Sequence, residues 1–295
     1  YVNMGSSSNT DLRAKIEEKL ERCNGNIDNN ADIWQRYMME GEFDMSDNNF
    51  KSSEQLLLDY IENDQVFYLD NFIKKNWPQS DVTSSYFKPA FATTPEAPRF
   101  GRAGEGELYL AYFCNGTKPD KGDLHVAGID IELKGKGGRL FKANVKKDFS
   151  HIQKDFENDD DILDGVTDFI CDLSGTQHIK QLVREMVQTF SDDIISEYNF
   201  FKTRGRLITG TGTTSSRMIY IGGLAQLYSY QQVQKFDVFS CFINQGNDQI
   251  LFKLIDMRDV NSLIEIHQAI DTDAVIKFAM RSDGIGWSFA NLTLK

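Results

Sequence analysis

No apolar run in this chain approaches the length of a bilayer span, which predicts a soluble protein. Cysteine is scarce. Cys23, Cys114, Cys171 and Cys241 lie far apart with no CxxC spacing. That excludes a disulfide framework and a zinc site, and predicts buried thiols in a reducing compartment. Histidine is as rare, and His125, His151, His178 and His267 have no ligand spacing, so they are expected to be structural or surface residues. Positive charge is in deficit: 32 Lys and Arg against 44 Asp and Glu leave a net charge of −12. Such a balance counts against indiscriminate nucleic-acid binding, which needs local positive potential. The chain opens Tyr1-Val2-Asn3 without an initiator Met, which points to processing or to residues upstream, and it shows no signal or transit pattern.

What is abundant is aromatic: 21 Phe and 11 Tyr argue for a folded core, in one large domain or two modest ones. The charge is also uneven. Residues 134–147 contain Lys134, Lys136, Arg139, Lys142, Lys146 and Lys147 and no acid, while Lys202, Arg204 and Arg206 form a second group that reads as a solvated face. Acidic residues concentrate near the N-terminus and at Asp159-Asp160-Asp161.

The first hundred residues read as helical and irregular. Helices are expected at 11–23 and 52–77, the second opened by the capping-box spacing Ser52-x-x-Gln55 and closed by Pro78. Pro95 and Pro98 mark the best linker, at 92–102. The expected organisation is therefore a helical N-terminal region at 1–100 and an α/β domain at 101–295 with a helical insertion near 150–210. Beyond the linker the pattern predicts a helix at 105–114 and a third alternating run at 139–145. Helices are expected over 152–203 and 224–234, and strands at 236–243 and 249–256. A short helix at 260–270 and strands at 274–280 and 287–294 complete the chain. The Gly/Thr/Ser stretch at 210–216 has no following Lys-Ser/Thr, fails the phosphate-loop pattern and reads as a loop.

The most informative stretch is 122–136, which reads as two short alternating strands joined at Ala127-Gly128. Residues two apart on a strand share a face, so Asp130, Glu132 and Lys134 align, and Asp123 can approach them from the partner strand. Two carboxylates able to hold a divalent metal, with an ammonium beside them, suit hydrolysis of a phosphodiester. The plainer reading of the same residues is a solvent-facing polar row on an amphipathic strand.

The order helix, strand, strand, strand, insertion, helix, strand resembles the core of the PD-(D/E)XK nuclease superfamily over 103–147 and 218–256. Asp123 and Glu132-Leu133-Lys134 match its metal motif, with Gly122 where the family has proline; the literal pair Pro119-Asp120 lies too early. Glu107, or Glu105, is similar to the glutamate that many members contribute from the first helix. Gln226-Leu227-Tyr228-Ser229-Tyr230 resembles the Gln-x-x-x-Tyr signature of the RecB-like and lambda-exonuclease-like branches, and 132–140 is similar to phage-encoded members. The resemblance implies a restriction-endonuclease-like core, a central mixed sheet flanked by helices, and Mg²⁺- or Mn²⁺-dependent cleavage of DNA. It implies Asp123, Glu132 and Glu107 as metal ligands and Lys134 as the residue that orients the attacking water or stabilises phosphate charge. Gln226 and Tyr230 would position the phosphate or Lys134, and Lys136, Arg139 and Lys142 would contact nucleic-acid phosphates. It allows a homo-oligomer, virion or phage partners, and a place in the host-cell cytoplasm or the virion. A rival expectation is a non-enzymatic virion or assembly protein, or a nucleic-acid-binding protein, that keeps the same fold. Taken by themselves, Tyr228, Tyr230, Phe236, Phe239, Phe242 and Trp287 read as packed aromatics.

Overall fold

Leu124-His125-Val126 and Ile129-Asp130-Ile131-Glu132-Leu133 alternate apolar and polar residues, the pattern of strands with one face on a core. In the computed structural model they form β2 (Leu124–Val126) and β3 (Ile129–Gly135), an antiparallel hairpin in which Leu124 pairs with Ile131 and Val126 with Ile129. The two-residue connection has Ala127 at φ 52° and Gly128 at φ 82°. Positive φ at both central positions matches the right-handed twist of the flanking strands.

The structure describes residues 55, 57–63, 66–71, 106–107, 109–110, 114, 122–135, 139–143, 148–207, 216–244, 250–270, 275–281 and 284–290. The expected helix at 11–23, the linker at 92–102 and the loop at 210–215 lie outside them. The chain divides into two compact units, residues 1–135 with 235–258 and residues 136–234 with 259–295. It is an α/β protein, and no helix among the described residues is long and apolar enough to cross a membrane.

The first unit is built on a mixed five-stranded sheet of order β1-β6-β5-β3-β2, with β1 at Val66–Tyr68, β5 at Val238–Asn244 and β6 at Ile250–Asp256. β3 and β5 are parallel, and β5 pairs antiparallel with β6, which pairs antiparallel with β1. Strand alternation gives the sheet two distinct faces. One carries Leu124, Ile131, Leu133, Phe242, Phe252 and Phe67, all nearly fully buried. Phe67, Phe252 and Phe242 form a row of ring contacts across β1, β6 and β5, with centroids 5.7 and 5.3 Å apart. Tyr60 from the helical residues 57–62 meets Phe67 edge-on, and Tyr109 from the helical residues near 106–110 stacks on Phe242. Burial of such large rings is the main source of cohesion here.

The helix expected over 52–77 is corrected by the structure. Helical residues 57–62 give way to strand β1 at Val66–Tyr68, a partner of β6, and residues 69–71 are helical again, so the expected single helix is interrupted. Val66-Phe67-Tyr68 is a β-favouring triplet whose pairing partner lies far along the chain, so tertiary pairing overrides the local helical pattern.

In the second unit β4 (Arg139–Ala143), β7 (Val275–Arg281) and β8 (Gly284–Ala290) form a separate sheet of order β4-β8-β7. The third alternating run of the sequence thus becomes a strand outside the sheet that holds the hairpin. The helical stretch expected over 152–203 is realised as α1 (Ser150–Gln153), α2 (Asp159–Ser174), α3 (Lys180–Thr189) and α4 (Ser191–Arg204). Asn158 caps α2 by accepting the Asp161 N–H at 2.9 Å, the Asp159-Asp160-Asp161 run fills its first turn, and Gly175 at φ 66° ends it. Helix α5 (Arg217–Gln234) starts before the expected residue 224 and runs through Gly222-Gly223. Residues 218–227 are all buried, and packing on every side offsets the low helix propensity of two glycines. Buried Glu197 on α4 anchors its N-terminus: its carboxylate accepts from the backbone N–H of Arg217 (2.6 Å), the N–H of Met218 (3.1 Å) and the Ser216 hydroxyl (3.1 Å). Helix α6 (Leu263–Ala269) is capped by Ser262, which accepts the Glu265 N–H.

Candidate functional site

The hairpin separates its side chains cleanly. Leu124, Val126, Ile129, Ile131 and Leu133 are buried on one face. Every side chain on the other is ionisable: Asp123, His125, Asp130, Glu132 and Lys134. Asp123 precedes β2 and is tied to it by its N–H, which donates to the Ile131 carbonyl at 3.0 Å. Gly122 makes that approach at φ 82° and lies close to the Ile131 backbone. A proline cannot adopt such a φ, so the glycine is a requirement of this turn.

The three central residues converge. Lys134 Nζ donates to Asp123 Oδ2 at 3.2 Å and also bonds Glu132 Oε1. Asp123 Oδ2 accepts in addition the Leu133 N–H at 2.9 Å. The side chains differ sharply in access: Lys134 is 21 % exposed, Asp123 28 % and Glu132 only 3 %. Glu132 therefore does not belong to a solvent-facing row. It is a buried carboxylate with the Lys134 ammonium as countercharge, and burial of an unpaired carboxylate would cost several kcal/mol.

Next along the same face, His125 Nδ1 and Asp130 Oδ1 are 2.6 Å apart. The Asp130 N–H donates to Asp237 Oδ2 at 2.9 Å, and the Asp237 N–H returns to the Asp130 carbonyl at 2.7 Å. The position of Asp130 opposite His125 follows from a two-residue turn at 127–128 and was readable in the sequence. Asp237, which arrives from the start of β5, had no such signal. Cys241 is paired in register with Lys134 on one side and Lys253 on the other. Burial pushes its thiol up to about 12, outweighing both lysines, so it is an inert thiol.

The remaining expected residues that are described lie on other elements of the chain. Glu107 lies on the helical residues that pack through Gly106 and Tyr109 against Leu133 and Phe242, the face of the sheet opposite Glu132 and Lys134. Gln226 and Tyr230 lie on α5 of the second unit. Gln226 is 3 % exposed, and its Oε1 has no hydrogen-bond partner among the described residues. Arg139 and Lys142 are on β4 of the second unit. Glu105 and Lys136 lie outside the described residues.

Among the described residues no three His, Cys, Asp or Glu side chains form a metal-binding group. Asp123 and Glu132 are nevertheless hard oxygen donors of the type Mg²⁺ takes, and Mg²⁺ is commonly held by one or two carboxylates with water in the other positions. The pair fits such an ion in donor chemistry. Comparison with protein-family models, with curated proteins and with solved structures finds no match to this chain.

Proposed function

We propose that this chain is a divalent-metal-dependent nuclease that hydrolyses phosphodiester bonds in DNA on a restriction-endonuclease-like core. The observation that carries the reading is the Lys134 ammonium held between the carboxylates of Asp123 and Glu132 on the polar face of the hairpin. Asp123 and Glu132 would hold Mg²⁺ or Mn²⁺, which when bound supplies an activated water and neutralises phosphate charge. Lys134 keeps the two carboxylates together and offers its ammonium to a phosphate oxygen as charge develops there. The parallel β3–β5 pair beside an antiparallel hairpin supports the reading as a mixed sheet of the kind the resemblance implies, while the third strand of the expected order, β4, pairs in another sheet. Phage origin, DNA as substrate and self-association belong to the same proposal.

Cleavage of supercoiled, linear and single-stranded DNA with Mg²⁺ or with chelator tests it. Asp123→Ala and Lys134→Ala, shown to be folded by circular dichroism, should each lose about 10²–10³-fold in rate. Undiminished cleavage by either variant would remove the assigned roles. Glu107→Ala, Gln226→Ala and Tyr230→Phe test separately the roles that the resemblance gives those residues.

One observation favours a second reading. The ion pairs of Lys134 already compensate Glu132 without a metal, as a structural cluster in a virion or assembly protein, or in an idle nucleic-acid-binding protein, would require. Calorimetric titration with Mn²⁺ separates the two: the nuclease reading expects a site that Asp123→Asn abolishes.

A further inference from the structure

The polar face of the hairpin continues across the sheet. Strand pairing sets Lys134 level with Cys241, Cys241 level with Lys253 and Lys253 level with Val66, one row over β3, β5, β6 and β1. Residues in register on neighbouring strands take the same face, and two strand spacings put the Lys134 and Lys253 backbones about 10 Å apart. Both ammonium charges are felt at the thiol between them: burial raises Cys241, and Lys253 and then Lys134 draw it down.

Access to this face opens in one direction. The row of Glu132, Phe239 and Ile255 is buried throughout. One level on, Lys134 is 21 % exposed, and Lys253 and Val66 are half-buried. At the level beyond, Tyr68 pairs with Leu251 and is 40 % exposed, one of two large apolar side chains left open among the described residues. From the Lys134 row outward, the described strand residues of this face carry two ammonium groups and no carboxylate. Cations beside an exposed ring suit a single strand of nucleic acid: the cations hold its backbone, and the ring accepts an unpaired base of any identity. A duplex keeps its base faces in the stack and offers the ring nothing except at its ends.

We propose that Lys253 and Tyr68 carry one strand of DNA away from the triad. Lys253 holds the phosphate next to the one at Asp123, Glu132 and Lys134, and Tyr68 stacks on a base. The inference rests on the nuclease reading for the identity of the ligand, and adds to it the single strand, or unpaired end, as the form bound. Lysine is ordinarily charged at neutral pH, and its ammonium has three N–H donors, so it can serve a phosphate oxygen alongside a partner in the protein.

Anisotropy of a fluorescent oligothymidylate, with Ca²⁺ in place of Mg²⁺ to prevent turnover, tests the track. Lys253→Ala and Tyr68→Ala, shown to be folded by circular dichroism, are each expected to weaken binding about tenfold. Their salt dependences should differ. Lys253→Ala lowers the slope of log affinity against log salt by about 0.7, the share of one single-strand phosphate, and Tyr68→Ala leaves it unchanged. Lys253→Arg and Tyr68→Phe, which keep the charge and the ring, should restore most of the binding. The native protein should prefer the oligothymidylate about tenfold over an abasic oligomer of the same length. Tyr68→Ala should lose most of that preference, because both changes remove the same contact. In Mg²⁺, both variants should raise KM more than they lower kcat.

The outcomes separate the two proposals. Both effects without any cleavage in Mg²⁺ support the track and remove the nuclease assignment. Cleavage that needs Asp123, with native binding by Lys253→Ala and Tyr68→Ala, overturns the track and keeps the nuclease. Losses with an unchanged salt slope and no rescue by Arg or Phe mark structural roles and overturn the contacts. Tighter binding of duplex than of single strand, with no preference over the abasic oligomer, overturns the single strand as the bound form. No binding of DNA by the native protein overturns both proposals.

Discussion

Removing the Lys134 charge while keeping its stem, as in Lys134→Met, takes the Lys134 ammonium away from Glu132, a carboxylate whose side chain is 3 % exposed. Breaking a buried ion pair from one side costs roughly 3–5 kcal/mol. Lys134 is itself 21 % exposed, so some water reaches the pair and the lower end, about 3 kcal/mol, is expected. Asp123 adds little, because it is 28 % exposed and keeps the Leu133 N–H. Urea unfolding followed by circular dichroism measures the effect: at a slope of roughly 3 kcal/mol per molar, the midpoint falls by about 1 M. Adding Glu132→Gln removes the buried charge, so the double variant should recover much of the loss, a coupling that independent sites would not show. The same experiment reports on the metal. If Asp123 and Glu132 hold Mg²⁺, an ion at a hundred times its dissociation constant restores about 2.7 kcal/mol in Lys134→Met. A native midpoint for Lys134→Met, or no rescue by Glu132→Gln, would refute the view of Glu132 as a buried, lysine-compensated carboxylate.

Two further predictions concern stability away from the triad. Burial pushes the Glu197 carboxyl above its ordinary value of 4.5, more than the N–H groups of Met218 and Arg217 and the Ser216 hydroxyl draw it down. A raised folded value means that this contribution is fully present below 4.5 and is lost as pH rises through the folded value. The stability of the native protein relative to Glu197→Gln should therefore fall across that window, as read by urea unfolding at a series of pH values; a constant difference would contradict the burial argument. At the hairpin tip, Ala127 holds φ 52°, a conformation that costs an L-residue about 1–2 kcal/mol and that Asn tolerates better. Ala127→Asn should raise stability by roughly 0.5–1 kcal/mol in thermal unfolding, and a loss would show that the turn is held by something other than its own geometry.

The hairpin was legible because everything that defines it is local. The alternation through Leu124-His125-Val126 and Ile129-Asp130-Ile131, with Ala127-Gly128 between, sets the register, and the register places Asp123, Glu132 and Lys134 together. The burial of Glu132 was not legible, because alternation says which face a side chain takes but not what covers that face. Strand β1 was missed for a related reason: Val66-Phe67-Tyr68 is short, follows a good helical pattern, and becomes a strand only through its pairing with β6. The start of α5 was misplaced because Gly222-Gly223 reads locally as a break, whereas the helix is buried on all sides there. Nothing in 139–143 itself told that β4 would pair with β8 instead of joining the hairpin sheet.

The parallel pairing of β3 with β5 has a consequence for how the protein is made. The chain leaves the first unit at Gly135 and re-enters it at Lys235, with about a hundred residues of the second unit between. At roughly 5–20 residues per second of synthesis, the hairpin waits about 5–20 s for the strand that completes its sheet. During that interval the β3 edge that will pair with β5 has no strand beside it, and Asp130 lacks the Asp237 clamp. The protein is thus most open to wrong pairing before translation has finished, and a chaperone that binds extended apolar strands would have its greatest effect in that window.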